Sequence, residues 1–270
     1  KQGYCVFNPG KKKVLILVGD SHMQTLEKPL LEFANKNKFK LIILNRSTCF
    51  YFKNLDLVIK NKISQCSSSY QEFRTKIIQS EESPFVIMGG RTQYYLSAQN
   101  FDNNEGGGNN KKKDGFYYKK DNMQLLNKLE NTELIKNSLD NTIDGLLENN
   151  SKILLIYPIP EVGWNVSKKI ISRLVLNSGK LENVFLSNPI TTSHKVFKKR
   201  SGKIYNIYDS INSENIFRIY PEKILCNRLI KNRCITHDNE NVFYIDDDHL
   251  SYVGAKLIMS EIKKTIFSIK

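Results

Sequence analysis

Short apolar runs separated by stretches of helical periodicity restrict this chain's fold more than any other feature. Positions 14–18, 41–44, 85–88, 153–157 and 216–219 are almost wholly apolar. A strand with one wet face alternates, whereas an unbroken run is covered on both sides. Helical patterns at about 23–37, 70–79, 133–149, 191–208 and 251–268 lie between or after the runs; in the third, Leu134, Ile135, Leu139, Ile143, Leu146 and Leu147 share one side. Strand–helix alternation of this kind predicts an α/β fold in which a central parallel sheet is sandwiched between helices. We read residues 1–270 as one domain. Residues 102–121, with Gly106 to Gly108 and Lys111 to Lys113, interrupt the rhythm and read as a flexible, polar, exposed insertion. A second irregular zone is expected over 158–187, and there is no internal repeat.

Composition narrows the function less than the pattern does. No apolar run approaches the roughly 20 residues that cross a bilayer. The chain starts at Lys1, with no initiator Met and no signal peptide, and reads as a processed or excised piece from which any targeting or membrane segment would have been cut away. A net charge of +14 raises the question of nucleic acid. The lysines are scattered, however, and neither a basic helix nor aromatic–basic alternation is present. The charge implies a general attraction to anionic polysaccharide or lipid headgroups and no nucleic-acid partner. The five cysteines contain no C-x-x-C pair and the chain has only four histidines, so no metal site is indicated. Cys49 and Cys66 flank one loop, and Cys226 and Cys234 another. Their spacing suits either local disulfides in an oxidising compartment or buried thiols in a reducing one; Cys5 is left over.

The chemistry is concentrated at two places. Gly19-Asp20-Ser21-His22 follows the first strand and opens the first helix, at the carboxyl edge where an open α/β sheet places its crevice. A serine there has free backbone N–H groups around it, although Asp20 or Ser21 would also serve as an ordinary helix cap. Far along the chain, Asp246-Asp247-Asp248-His249-Leu250-Ser251 precedes the terminal helix. Three acids in a row also fit a solvated turn or a hard-cation site, but EF-hand spacing is absent and histidine is a poor calcium ligand. A nucleophilic serine needs a histidine base held by a carboxylate, and Asp246 and His249 supply both from one loop.

These motifs resemble the SGNH/GDSL hydrolases, a flavodoxin-like three-layer fold with a first-strand G-D-S and a late D-x-x-H. The closer resemblance is to the extracytoplasmic SGNH domain fused to membrane-bound acyltransferases of family three, which O-acylate bacterial surface glycans. It rests on Gly-Asp-Ser-His at 19–22, Tyr-Pro-Ile-Pro-Glu-Val-Gly-Trp at 157–164, the cysteines at 226 and 234, and Asp-Asp-Asp-His-Leu-Ser at 246–251 followed by Gly254-Ala255. The resemblance implies Ser21 as nucleophile, His249 as base and Asp246 as its partner. It further implies disulfides Cys49–Cys66 and Cys226–Cys234, no cofactor, and a monomeric domain tethered outside the cytoplasm. The implied partners are a glycan acceptor, an acyl donor, and a transmembrane acyltransferase module in the same full-length chain.

Two departures concern the oxyanion hole. Where the family has a Gly after the second strand, this chain has Asn45-Arg46-Ser47-Thr48; where it has an Asn after the third, this chain has Gly89-Gly90-Arg91-Thr92. The expected donors are therefore the Ser21 N–H and one from the Ser47 region. Gly90 and Arg91 are further candidates, with Arg91 standing in for the Asn, gripping a substrate carboxylate or phosphate, or forming an ordinary ion pair. His22 reads as a structural residue pointing away from Ser21, and His194 and His237 as surface residues. Residues 157–164 form a wall near the site or pack Trp164 into the core. The function expected is serine-dependent O-acyl transfer, with a secreted carbohydrate esterase or an inactive glycan-binding module as alternatives.

Overall fold

A computed structural model describes residues 3–108, 111, 117–119, 128–176 and 179–269. Its strands are β1 (Cys5–Phe7), β2 (Val14–Gly19), β3 (Lys40–Ile43), β4 (Asp56–Ile59), β5 (Lys62–Ile63), β6 (Phe85–Gly89), β7 (Tyr117–Lys119), β8 (Lys152–Ile156), β9 (Thr191–Ser193), β10 (Ile216–Ile219) and β11 (Arg233–Ile235). Its helices are α1 (Ser21–Gln24), α2 (Glu27–Asn37), α3 (Ser68–Gln79), α4 (Thr92–Ser97), α5 (Lys128–Glu148), α6 (Val166–Leu176), α7 (Leu181–Ser187), α8 (His194–Asp209), α9 (Pro221–Leu225) and α10 (Tyr252–Ser268).

The central sheet runs β1-β3-β2-β6-β8-β10. All neighbours are parallel except β1, which pairs antiparallel with β3. All five apolar runs are therefore strands of one sheet. From β2 the chain steps to β3 on one side and later crosses to β6 on the other. The reversal opens a crevice beyond the carboxyl end of β2.

Both faces are covered, as the unbroken runs require. Ile16 and Val18 of β2 face α3, α5 and α8 through Tyr70, Ile143 and Ile204. Leu15 and Leu17 face α2, α6 and α10 through Phe33, Ile170 and Ile262. Each such buried side chain contributes roughly 1.5–3 kcal/mol by leaving water, so the sheet is a rigid frame for the loops at its edge.

Several local expectations change. The zone 158–187 contains α6 and α7. The exposed Ile171, Val175 and Leu176 place apolar residues on the outer face of α6 as well as the inner one, which blurs its amphipathic pattern. The pattern at 191–208 divides, with 191–193 pairing with β11 and the helix starting at His194 behind the Ser193 cap. Residues 102–108 are not a loose excursion, because the buried Asn103 donates to Val162 O (3.0 Å) and accepts from Gly107 N (2.8 Å). Of the rest of that insertion, 109–110, 112–116 and 120–121 lie outside the described residues. Both cysteine pairs are disulfides, and Cys5 is an exposed free thiol.

Candidate active site

The end of β2 is shaped by close backbone approach. A Cβ on Gly19 would lie 2.3 Å from the Gly89 carbonyl oxygen and 2.4 Å from Met23 Cγ, so only glycine lets β2 run past β6 and turn directly into α1. Asp20 fixes that turn. Its Oδ1 accepts from the His22 N–H at 2.9 Å, while its Oδ2 accepts from the Arg91 N–H and the Tyr95 hydroxyl at 2.8 Å each. Beneath the turn, the fully buried Arg74 donates to the Gly19 carbonyl (3.1 Å) and to the carbonyl of disulfide-bonded Cys49 (3.1 Å). Ser21 is thus presented, half-buried, at the first turn of α1, where backbone N–H groups lack intrahelical acceptors.

The second half of the site is a turn closed by the Tyr244–Leu250 bridge. Asp246 Oδ1 accepts from the backbone N–H groups of Asp248 (3.0 Å) and His249 (2.7 Å), which curls the loop. Its Oδ2 lies 2.9 Å from His249 Nδ1, and His249 Nε2 lies 2.8 Å from Ser21 Oγ. With its proton on Nδ1 facing Asp246, the imidazole offers Nε2 as acceptor to the Ser21 hydroxyl. Residues 160–167 clasp this loop from outside: Val162 N and Gly163 N donate to Asp247 O, Ser167 Oγ to Ile245 O, and Tyr244 OH to Pro160 O. The 157–164 segment is therefore a wall against the loop. Trp164 is half-buried at its end, donating to Thr191 O with Lys169 over its ring.

Behind the imidazole lies a buried charge network. Asp248 Oδ1 is 2.7 Å from His249 Nδ1, and its Oδ2 is 2.6 Å from Arg91 Nη1 and 3.6 Å from His22 Nε2. The other edge of Arg91 meets Glu161 at 2.6 Å, and Glu161 also accepts from Gln93 (2.9 Å) and Arg200 (3.2 Å). Burial opposes the charge on Asp248, but His22, His249 and Arg91 outweigh it and hold the carboxyl well below the usual carboxylate range. Glu161 is likewise lowered, because Arg91, Arg200 and Gln93 more than offset complete burial. For His249, contacts with Asp246 and Asp248 prevail over burial and push the imidazole up to about 10. Asp247 goes the other way, raised by burial and by its neighbour Asp248.

Ser21, Asp246 and His249 are thus brought together. Arg91 is not a free cation at the crevice: its guanidinium is held by two carboxylates and its N–H by Asp20, so the ion-pair alternative is the one the structure has. Gly90 sits tight against Asp20 and Phe50, with no room for a Cβ. Ser47 is exposed beside α1, its hydroxyl donating to Gln24 Oε1 at 3.0 Å. His22 is buried and does not face away from the site; its ring lies edge-on to that of His249, with centroids 5.2 Å apart. His237 is also buried, accepting from Ile190 N at 3.0 Å, and burial lowers its pKa. His194 is half-buried and pairs with Glu222 at 2.6 Å. Sequence reasoning missed Asp248 and Glu161. The signal for Glu161 was an acid set among apolar residues and prolines directly after a buried strand.

The family model described as "SGNH domain (fused to AT3 domains)" matches residues 1–264. Among solved structures, the periplasmic domain of a lipopolysaccharide acetyltransferase from Salmonella ser. Paratyphi A is similar with a TM-score of 0.58 at 18% identity, covering 97% of this chain and 86% of that one. A GDSL-like lipase from Bacteroides thetaiotaomicron VPI-5482 is similar with a TM-score of 0.50 at 11% identity, covering 96% and 89%. At these identities the likeness concerns the fold. No curated protein matches the chain by sequence.

Proposed function

This chain belongs to the SGNH domain family of the kind fused to AT3 domains, an acyl-transferring or hydrolytic enzyme family, and on that premise we propose that it O-acylates, specifically O-acetylates, a bacterial surface glycan through an acyl-enzyme on Ser21. The observation that carries the reading is the continuous contact from Asp246 Oδ2 through His249 to Ser21 Oγ, at 2.9 and 2.8 Å. His249 Nε2 takes the Ser21 proton as Oγ attacks the acyl carbonyl carbon. The tetrahedral oxyanion collapses, the donor's leaving group departs with the proton from His249, and an ester remains on Ser21. A glycan hydroxyl then gives its proton to His249, attacks the ester, and leaves as the O-acyl glycan while Ser21 regains the proton. The Ser21 N–H and the Ser47 segment are the oxyanion donors in this reading. The family's fusion to AT3 domains supports a transmembrane acyltransferase module that delivers the acyl group. That fusion, the two disulfides and the fold shared with a periplasmic domain support a membrane-tethered, extracytoplasmic location.

The test is mass spectrometry of the surface glycan from cells whose full-length protein carries Ser21→Ala. We expect the O-acetyl mass increment to disappear while the protein folds and accumulates normally. Unchanged O-acetylation with the Ser21→Ala protein would falsify the reading.

A pH dependence follows from the pair of carboxylates on His249. The imidazole accepts the Ser21 proton only when Nε2 is unprotonated, so a pKa raised to about 10 places the rising limb of kcat/KM on the alkaline side of the ordinary histidine value of about 6.5. Stability runs the opposite way: the raised pKa contributes stability fully present below about 6.5 and lost as pH rises towards 10. Acyl-ester turnover and thermal melts recorded from pH 6 to 10 check both, activity being expected to climb while melting temperature falls.

A further inference from the structure

Asp248 has no place in a serine–histidine–aspartate triad, yet it is the better-anchored of the two acids on His249. Asp246 makes the in-line contact at 2.9 Å, but its side chain is 33% exposed. Asp248 approaches the same Nδ1 at 2.7 Å, and its side chain is 3% exposed. Its other oxygen is clamped by Arg91 at 2.6 Å, which Glu161 holds from behind. His22, from the Gly-Asp-Ser-His turn that also presents Ser21, completes the enclosure at 3.6 Å. A carboxylate shielded from water acts more strongly on a neighbouring charge than one open to it. The geometry points to Asp248 as a second carboxylate for His249, a positioning residue that orients the imidazole and stabilises the imidazolium alongside Asp246, so that the base keeps an acceptor on Nδ1 when Asp246 is lost.

The inference rests on the proposed roles of Ser21 and His249, and it changes what each substitution does. In a triad with one acid, Asp→Asn turns the imidazole to the wrong tautomer and costs about 10⁴ in kcat. Here Asp246→Asn leaves Asp248 on Nδ1. The groups facing the imidazole are then Asp248 from its own loop, Ser21 and His22 from α1, and, beyond Asp248, Arg91 and Tyr244.

The experiment compares Asp246→Asn, Asp248→Asn and the double variant in two measurements. These are turnover of a small acyl ester and titration of the His249 ring by NMR of histidine-labelled protein. We expect each single variant to lose less than about 10-fold, and the double variant to fall by about 10⁴, far beyond the product of about 100-fold that independent effects would give. In Asp246→Asn the ring should still titrate above the ordinary value of about 6.5. A 10⁴-fold loss in Asp246→Asn that the double variant does not deepen overturns the inference, as does a ring titrating near 6.5 in that variant. If Asp248→Asn fails to fold because Arg91 loses one of its two carboxylates, the Asp246→Asn ring titration decides alone, since Asp246 is half-buried and its Asn keeps the turn-closing acceptor. The titration needs no catalysis, so it reads out even if Ser21→Ala proves the acyl-enzyme reading wrong.

Discussion

Purified protein carrying His249→Ala is expected to turn over a small acyl ester about 10⁴- to 10⁶-fold more slowly than the parent, with the larger part of the loss in kcat. The Ser21 hydroxyl is a poor nucleophile at neutral pH, and His249 Nε2, at 2.8 Å, is the acceptor on it. Removing the imidazole leaves substrate binding and any backbone donors to the oxyanion in place, so activity above the uncatalysed rate should persist. A serine-reactive phosphonate provides the matching readout: the parent should label rapidly at Ser21, and His249→Ala should label at a rate reduced by orders of magnitude. His249→Ala also removes the imidazolium that Asp246 and Asp248 stabilise, so its melting temperature should lie below the parent's at pH 6 and approach it as pH rises towards 10. Rapid labelling of His249→Ala would remove His249 from the role of base.

The second large effect is expected on stability. Glu161→Ala should destabilise the fold by about 3 kcal/mol, within the range for breaking a buried ion pair by removing one partner. Glu161 is entirely buried and serves Arg91, Arg200 and Gln93 together; among the described residues its loss leaves Arg200 with the Ser97 hydroxyl and the Gln99 carbonyl. Arg91 keeps Asp248, which places the effect towards the lower end of that range. In a chain of 270 residues this corresponds to a melting temperature lower by roughly 6–12 °C. Ester turnover should fall as well, because Arg91 is the clamp on Asp248. The exposed pair Glu72–Lys76 is the control, since its removal should leave the melting curve where it was. A Glu161→Ala protein that melts with the parent would show that the network adds nothing to stability.

Features set by short-range interactions were legible in the sequence, and those set by long-range ones were not. The five parallel strands were legible because a strand buried on both faces announces itself in four or five consecutive residues. Ser21, Asp246 and His249 were legible because two local motifs supply complementary chemistry, although each motif alone also suits a helix cap or a solvated turn. Asp248 was not legible, because its neighbours Asp246 and Asp247 have the same side chain and only the fold separates them. One curls the loop, one meets solvent, and one is enclosed by Arg91 and His22. The partners of Arg91 were not legible for the same reason: Glu161 lies 70 residues away, and an ion pair was one of three readings that an arginine after a strand allows. The helix α6 escaped notice because its outer apolar residues mask the inner stripe.

Ser21 and His249 are separated by 228 residues, and that distance is also an interval of time. During synthesis Ser21 emerges with β2, 228 residues ahead of His249, and nearly the whole domain follows it before its proposed base exists. His249 reaches it only when the turn before α10 is drawn in, and α10 docks on α2 through Phe267 against Phe33 and the Tyr252 hydroxyl on Glu32. Under the proposed reading, a chain halted or clipped before His249 carries the serine without its base, and the pair exists only once both ends of the domain are joined.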